Sequence, residues 1–211
     1  MKIDKDQMRM VLALFVVAVI AAAVTGVTDI FTREPIAAAQ KEALHKALQQ
    51  VLPQHSNDPQ MDKIEVEDTA IYPAKSGNGG LTGLAWEVIA PDGYSGSIRI
   101  LVGLRPDASI QAIRITGHKE TPGLGDGITK NQSWLAGFMG QTLASISWAV
   151  KKDGGDFDQF TGATITPRAV VKAVQGALMF FRQHEQVILA RITAPAVSIE
   201  TDIIKQEATH E

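Results

Sequence analysis

The stretch Leu81-Thr82-Gly83-Leu84-Ala85-Trp86-Glu87-Val88-Ile89-Ala90, the turn Pro91-Asp92-Gly93, and the run Ser95-Gly96-Ser97-Ile98-Arg99-Ile100-Leu101-Val102-Gly103-Leu104 decide the fold. Both runs are rich in β-branched and aromatic residues and end at turn residues, the signature of strands joined as a hairpin. A second turn, Arg105-Pro106-Asp107, leads into Ser109–Thr116, and Ile64–Tyr72 precedes the pair. The stretch therefore predicts an antiparallel meander. Connections this short leave no room for the crossover of a parallel βαβ unit, which excludes a dinucleotide-binding sheet here.

On the N-terminal side, residues 10–28 carry no charged side chain. As a helix they would be roughly 28 Å long, about the hydrocarbon thickness of a bilayer. Lys2, Lys5 and Arg9 precede the segment and Asp29 follows it, so the positive-inside bias puts the N-terminus in the cytoplasm and the main domain outside. A cleaved signal peptide is the competing reading, with Ala21-Ala22-Ala23 as small residues for a peptidase, but the apolar run exceeds a usual signal core. Glu34-Pro35 is expected to open a second helix ending near Pro53, followed by a polar loop with the turn residues Ser56-Asn57-Asp58-Pro59.

On the C-terminal side, Trp134, Leu135, Phe138 and Met139 stand at helical spacing within Asn131–Gly140, and Ile146–Val150 reads as a further strand. A last helix is expected from Pro167 to about Ile192, with Thr166 as N-cap and Pro167 in its first position. Its apolar side is Val170, Val171, Val174, Leu178, Phe181 and Ile188. The fold class is thus α+β: a single N-terminal transmembrane helix, then an antiparallel-sheet domain with flanking helices. The expected divisions are 1–9 cytoplasmic, 10–28 transmembrane, 29–60 connecting helix and loop, 61–192 the domain, and 193–211 a polar tail.

Composition narrows the function. The 211 residues have a net charge of -3 with lysines and arginines scattered among acids, the pattern of a solvated surface, so no nucleic-acid partner is expected. The absence of cysteine excludes disulfides, thiolate catalysis and iron–sulfur ligation within the chain. The five histidines stand in separate elements without ligand spacing, and no metal site is expected.

Two loops carry chemistry. Asp158-Gln159-Phe160-Thr161-Gly162-Ala163-Thr164 runs into the last helix. Gly162 and Ala163 allow a bulky ligand to lie against the backbone, and a phosphoryl group held at Thr164 would meet the amides and positive dipole end of that helix. A plain helix-capping turn uses the same residue types. The second loop is His118-Lys119-Glu120-Thr121-Pro122-Gly123-Leu124-Gly125-Asp126-Gly127. Its glycines permit close approach of a flat ligand and Leu124 offers an apolar contact, but no glycine three positions on completes a Rossmann fingerprint. The Tyr94-Ser95-Gly96 corner is a candidate to pack on a ligand ring, or its tyrosine to anchor a strand edge. Lys151 and Lys152 are candidates to stabilise an anionic ligand, or an ordinary exposed pair.

These motifs resemble the FMN-binding domains of the Rnf (Rsx) electron-transport complex and of the sodium-translocating NADH:quinone reductase. The attachment-type heptapeptide, with the flanking Trp148–Phe157 and Pro167–Val171, is most similar to the G-subunit family of the Rnf complex. The resemblance implies an FMN joined by a flavin transferase to Thr164 through a phosphodiester bond, with Thr161, Gly162 and Ala163 completing the motif. It also implies that Glu120, Thr121, Pro122, Gly123, Leu124 and Gly125 belong to the flavin pocket. It further implies a bacterial inner-membrane, single-pass protein, with its domain in the periplasm. Its partners would be the lipid bilayer and the other subunits of a translocase coupling ferredoxin and NAD redox chemistry to ion movement. The C subunit of the sodium-translocating reductase is the alternative within the same chemistry. An anchored non-redox binding module, or a hydrolase with Thr164 or Thr161 as nucleophile, are alternatives of other classes; the latter has no Gly-x-Ser-x-Gly elbow and no base close in sequence.

Overall fold

The computed structural model describes residues 5–193, which fall into two units divided between Lys46 and Ala47; the tail from residue 194 onward and residues 1–4 lie outside the described residues. The first element, α1 (Lys5–Val51), is one continuous helix with Pro35 inside it. The expected helix start at Glu34-Pro35 is therefore corrected. Proline deprives the helix of one hydrogen bond, but the helix-forming run Ala37-Ala38-Ala39 follows it. Ion pairs one turn apart, Arg33–Asp29 at 2.5 Å and Lys46–Glu42 at 3.2 Å, bracket it. The hydroxyls of Thr25, Thr28 and Thr32 donate back to the carbonyls four residues before them instead of opening the chain to solvent. This helix is long and apolar enough to cross a membrane, and its most apolar stretch is not buried within the chain.

The second unit is built on a five-stranded antiparallel sheet in the order of the sequence: β1 (Ile64–Val66), β2 (Thr69–Lys75), β3 (Leu81–Ala90), β4 (Ile98–Leu104) and β5 (Ile110–Gly117). The strand expected over Ile64–Tyr72 is two strands. Val66 pairs with Thr69 across a two-residue turn in which Glu67 and Asp68 have φ of 46° and 61°. That is the conformation of a tight hairpin turn usually signalled by Asn-Gly; Glu-Asp conceals it.

Two layers enclose the sheet. On one face lies α4 (Ile165–Thr193), whose Phe180 and Phe181 rings meet Trp86 at centroid distances of 6.0 and 6.3 Å. On the other, the last turn of α1 brings the buried Leu48 and Val51 to the sheet beside Gly103. A Cβ on Gly103 would stand 2.0 Å from the Val51 carbonyl oxygen, and one on Gly83 2.6 Å from the Pro53 ring. The glycines inside β3 and β4 are therefore spaces for a crossing backbone. Burial on both faces also explains why β4 reads as a nearly unbroken apolar run.

Beyond the sheet the chain is more irregular than expected. The helix expected within Asn131–Gly140 is present but short, α3 (Gln132–Ala136): α2 (Gly127–Lys130) precedes it, and the Asn131 side chain between the two accepts from the Trp134 amide. The strand expected over Ile146–Val150 is absent. Ile146, Trp148 and Val150 do turn toward the core, but the backbone is held by side chains and by a single bridge, Val150 with Phe157. The Ser147 amide donates to Asp156 at 2.7 Å and the Trp148 indole to the Thr142 carbonyl at 3.2 Å. A short 3-10 turn, Lys151–Asp153, follows.

Gly103→Ala should destabilise the domain by about 2–3 kcal/mol, because the added methyl has only backbone to displace. Chemical denaturation of the full chain measures this; a change under roughly 0.5 kcal/mol, the range of inert surface substitutions, would show that the α1 crossing yields easily.

Candidate functional site

The segment before α4 is a tight turn closed by the Ala163 amide on the Phe160 carbonyl at 3.0 Å. Gly162, with φ of 78°, occupies its third position, where a type II turn requires a positive φ. The turn rests on aromatic rings. Phe160 packs edge-on against Trp134 at 5.2 Å, and the Trp134 indole donates to the Asp158 carbonyl at 2.8 Å. Trp134 in turn meets Phe138 and Phe157. The core thus fixes both ends of the Asp158–Phe160 approach to the turn.

The expected cap at Thr166 is corrected. The carbonyl of Thr164 accepts from the Arg168 amide at 3.3 Å and α4 begins at Ile165, so Thr164 itself stands in the cap position. Pro167 is the third helical residue. The amides of Ile165 and Thr166 have no intrahelical acceptor at a helix start, and Thr164's half-buried hydroxyl has no hydrogen-bond partner among the described residues. An unengaged hydroxyl thus stands at the positive end of a 29-residue helix.

Thr166 has a different task. Its hydroxyl donates to Glu120 Oε2 at 2.5 Å, while Glu120 Oε1 accepts from the Ser95 amide at 3.0 Å. Glu120 is 5 % exposed. One buried carboxylate therefore joins the β3–β4 connection, the loop after β5 and the start of α4. Glycines make room for it: a Cβ on Gly93 would lie 2.9 Å from Oε1, and one on Gly125 2.7 Å from Oε2. The loop is closed on its other side by Asp126, which accepts from the Gly123 amide at 2.8 Å and from the Lys130 ammonium.

Between these segments lies a cleft of about 160 Å³. It brings together Tyr94, Glu120, Thr121, Leu124 and Gly125 from the first two segments with Gly162, Ala163, Thr164, Ile165 and Thr166 from the third. Residues from both loops singled out in the sequence thus meet in one place. Tyr94, Leu124 and Ile165 are 70 %, 47 % and 44 % exposed, respectively, and present apolar surface at its rim. A Cβ on Gly162 would stand 3.1 Å from Leu124 Cδ2. Thr161, Pro122 and Gly123 are not among the lining residues, and neither is Lys151, whose ammonium pairs with Asp158 at 2.7 Å. Sequence reasoning missed Ile165 and misread Thr166, and it did not foresee the tie that Ser95 makes through its amide, which leaves no trace in residue type.

Charge around the helix start is paired. Arg168 makes a two-pronged contact with Asp153 at 2.5 and 2.9 Å, and Lys172 meets Asp92 at 2.6 Å. The Arg168 hydrogen bonds hold the Asp153 carboxyl below the usual carboxylate range, and the Lys130 hydrogen bond does the same for Asp126. Both pairs fix loops that flank the cleft.

The chain is similar to known proteins over most of its length. Residues 93–179 match the FMN-binding domain family, and residues 1–51 match the family described as the RnfG N-terminal region. The G subunit of the ion-translocating oxidoreductase complex of Aliivibrio fischeri strain ES114 is 45 % identical over 192 residues, covering 84 % of this chain and 90 % of that protein. The corresponding G subunit of Pseudomonas aeruginosa strain UCBPP-PA14 is 40 % identical over 202 residues, covering 88 % and 94 %. Among solved structures, the crystal structure of Shewanella oneidensis NqrC aligns at a TM-score of 0.45 with 22 % identity, over 64 % of this chain and 70 % of that one. The chain belongs to the family of G subunits of ion-translocating oxidoreductase complexes, and carries that family's FMN-binding domain.

Proposed function

We propose that this chain is a membrane-anchored electron carrier of an ion-translocating oxidoreductase complex, holding FMN covalently through a phosphodiester bond on Thr164. The observation that carries the reading is the position of Thr164: a hydroxyl with no hydrogen-bond partner among the described residues, on the cleft wall, at the N-terminus of α4. A phosphoryl group on that oxygen gains the free amides of Ile165 and Thr166 and the helix dipole, without a metal. Gly162 and Ala163 leave the backbone beside it uncovered, and Leu124, Tyr94 and Ile165 supply apolar surface for a flat ring. Thr121 and the backbone of Gly125 line the opposite wall. Bound FMN would supply reversible electron transfer; Thr164 would retain it and the cleft residues would orient it.

In this reading, residues 10–28 cross the inner membrane with residues 1–9 in the cytoplasm, and residues 61–192 form the periplasmic FMN-binding domain. Residues 29–60 connect them. The partners are the other members of the complex and, during maturation, a flavin transferase. The complex couples ferredoxin and NAD redox chemistry to ion translocation. Thr161 shapes recognition by the transferase, and Pro122 and Gly123 set the course of the pocket loop. Lys151, paired with Asp158, acts through the conformation of the attachment segment.

Thr164→Ala should abolish covalent flavin, whereas Thr161→Ala should retain part of it. Denatured intact mass, flavin fluorescence and peptide mapping after co-expression with a flavin transferase read both. An FMN adduct on the Thr164 peptide supports the assignment. Equal incorporation in Thr164→Ala and wild type would sink it, and a colourless wild-type chain despite an active transferase would favour an anchored binding module.

Glu120→Ala leaves the Thr166 hydroxyl and the Ser95 amide without their buried acceptor and should cost about 1–3 kcal/mol of stability. The visible circular dichroism of the attached flavin should weaken at the same time, because the two walls of the cleft lose their common tie. Unchanged dichroism together with unchanged stability would show that the walls are held by other contacts.

A further inference from the structure

We propose that the free edge of β5 is a docking site where an extended, acidic segment of another protein of the complex adds as a sixth strand. The proposal rests on the membership of the chain in a multi-subunit complex, and is independent of the FMN assignment. The two edges of the sheet are treated differently. At the β1 edge the strand has three residues, the Arg191 guanidinium of α4 covers the Glu65 carbonyl, and His184 reaches the adjoining turn at Glu67, 3.2 Å away. Short strands and covering side chains are the usual defences of a sheet edge.

The β5 edge is eight residues long and, among the described residues, its outer main chain is hydrogen-bonded to another segment only at its start, where Ile110 exchanges hydrogen bonds with Gly140 and Gln141; α2 and α3 pack beside it. From Ala112 to Ile115 it forms the floor of a cleft of about 380 Å³, walled by Gln132 and Met139 on the α2–α3 side and by Gln50. Alternate amides and carbonyls of an edge strand point away from its one neighbour, so this cleft offers main-chain donors and acceptors to an added strand. Met139, 52 % exposed, supplies an apolar wall. Arg114 sets the charge. It is exposed and its side chain makes no hydrogen bond or ion pair among the described residues. An unneutralised arginine beside a row of main-chain groups matches an extended chain carrying an aspartate or glutamate.

The test uses the intact complex. Hydrogen exchange of the β5 amides is compared between the isolated full-length chain and the assembled complex, and a benzophenone side chain at Met139 maps what lies in the cleft. The expected result is at least about tenfold slower exchange over residues 112–116 in the complex, with the adduct on an extended acidic segment of another member of it. Arg114→Glu should lower recovery of the chain with the complex by roughly tenfold, Arg114→Lys should not, and reversing the charge in the mapped segment should restore Arg114→Glu. Unprotected β5 amides in the complex overturn the proposal, as does an adduct on lipid, on a second copy of the chain or on a helical surface. If Arg114→Glu melts earlier than wild type, the exchange experiment on the wild-type chain decides alone. FMN content, measured on every sample, should be the same in all of them; its absence from wild type would refute the flavin assignment and leave this proposal standing.

Discussion

The carboxylate of Glu120 is the constraint on which the rest of the site depends. It lies 25 residues from Ser95 and 46 from Thr166 in sequence, yet it hydrogen-bonds both from a buried position. A buried carboxylate without its donors is costly, so the three segments come together or the fold loses that stabilisation. This is a stronger requirement than apolar packing places on a loop, because it fixes directions as well as contact. Gly125 follows from it, standing where a methyl group would strike a carboxylate oxygen first; at Gly93 a methyl group would meet the Gly96 carbonyl oxygen at 2.2 Å before the carboxylate at 2.9 Å.

The sheet explains why these three segments are within reach of one side chain. In an antiparallel meander the β3–β4 connection and the exit of β5 emerge at the same end, and α4, laid across the face that carries Trp86, delivers its N-terminus there. The aromatic cluster of Trp134, Phe138, Phe157 and Phe160 supports the approach to α4 from below. A rigid scaffold therefore ends in a short flexible-looking sequence, Thr-Gly-Ala-Thr, whose conformation is in fact set by the ring of Phe160, the positive φ of Gly162 and the first turn of the helix.

Much of this was legible in the sequence, and the failures share a cause. The central strands, the long final helix and the two chemically distinctive loops were visible because periodicity, turn residues and small-residue patterns are properties of residue type. The β1–β2 turn was hidden because Glu67 and Asp68 adopt positive φ without the glycine that normally announces it. The strand expected at Ile146–Val150 showed the correct alternation but found no partner strand, which no local pattern reveals. Thr166 was a good cap by type, but the cap position fell two residues earlier, at Thr164, because the Glu120 carboxylate claimed its hydroxyl. Lys151 looked available and is engaged by Asp158. In each case a tertiary partner decided what the local sequence left open.

The shape of the cleft bears on why the proposed covalent tether would suit it. A cleft of about 160 Å³ with Tyr94, Leu124 and Ile165 left substantially exposed has too little enclosed surface to retain a cofactor by burial, since tight small-molecule sites enclose most of the ligand. Openness is an advantage for an electron carrier, whose ring must be approached by donor and acceptor. Retention and access therefore make opposite demands on one pocket. The proposed bond to Thr164 would separate them: the tether would hold the cofactor at high effective concentration, the helix terminus would neutralise its phosphate, and the shallow cleft would have only to orient the ring. On this reading the placement of a free hydroxyl at the head of α4, rather than the depth of the pocket, is what makes the domain a carrier.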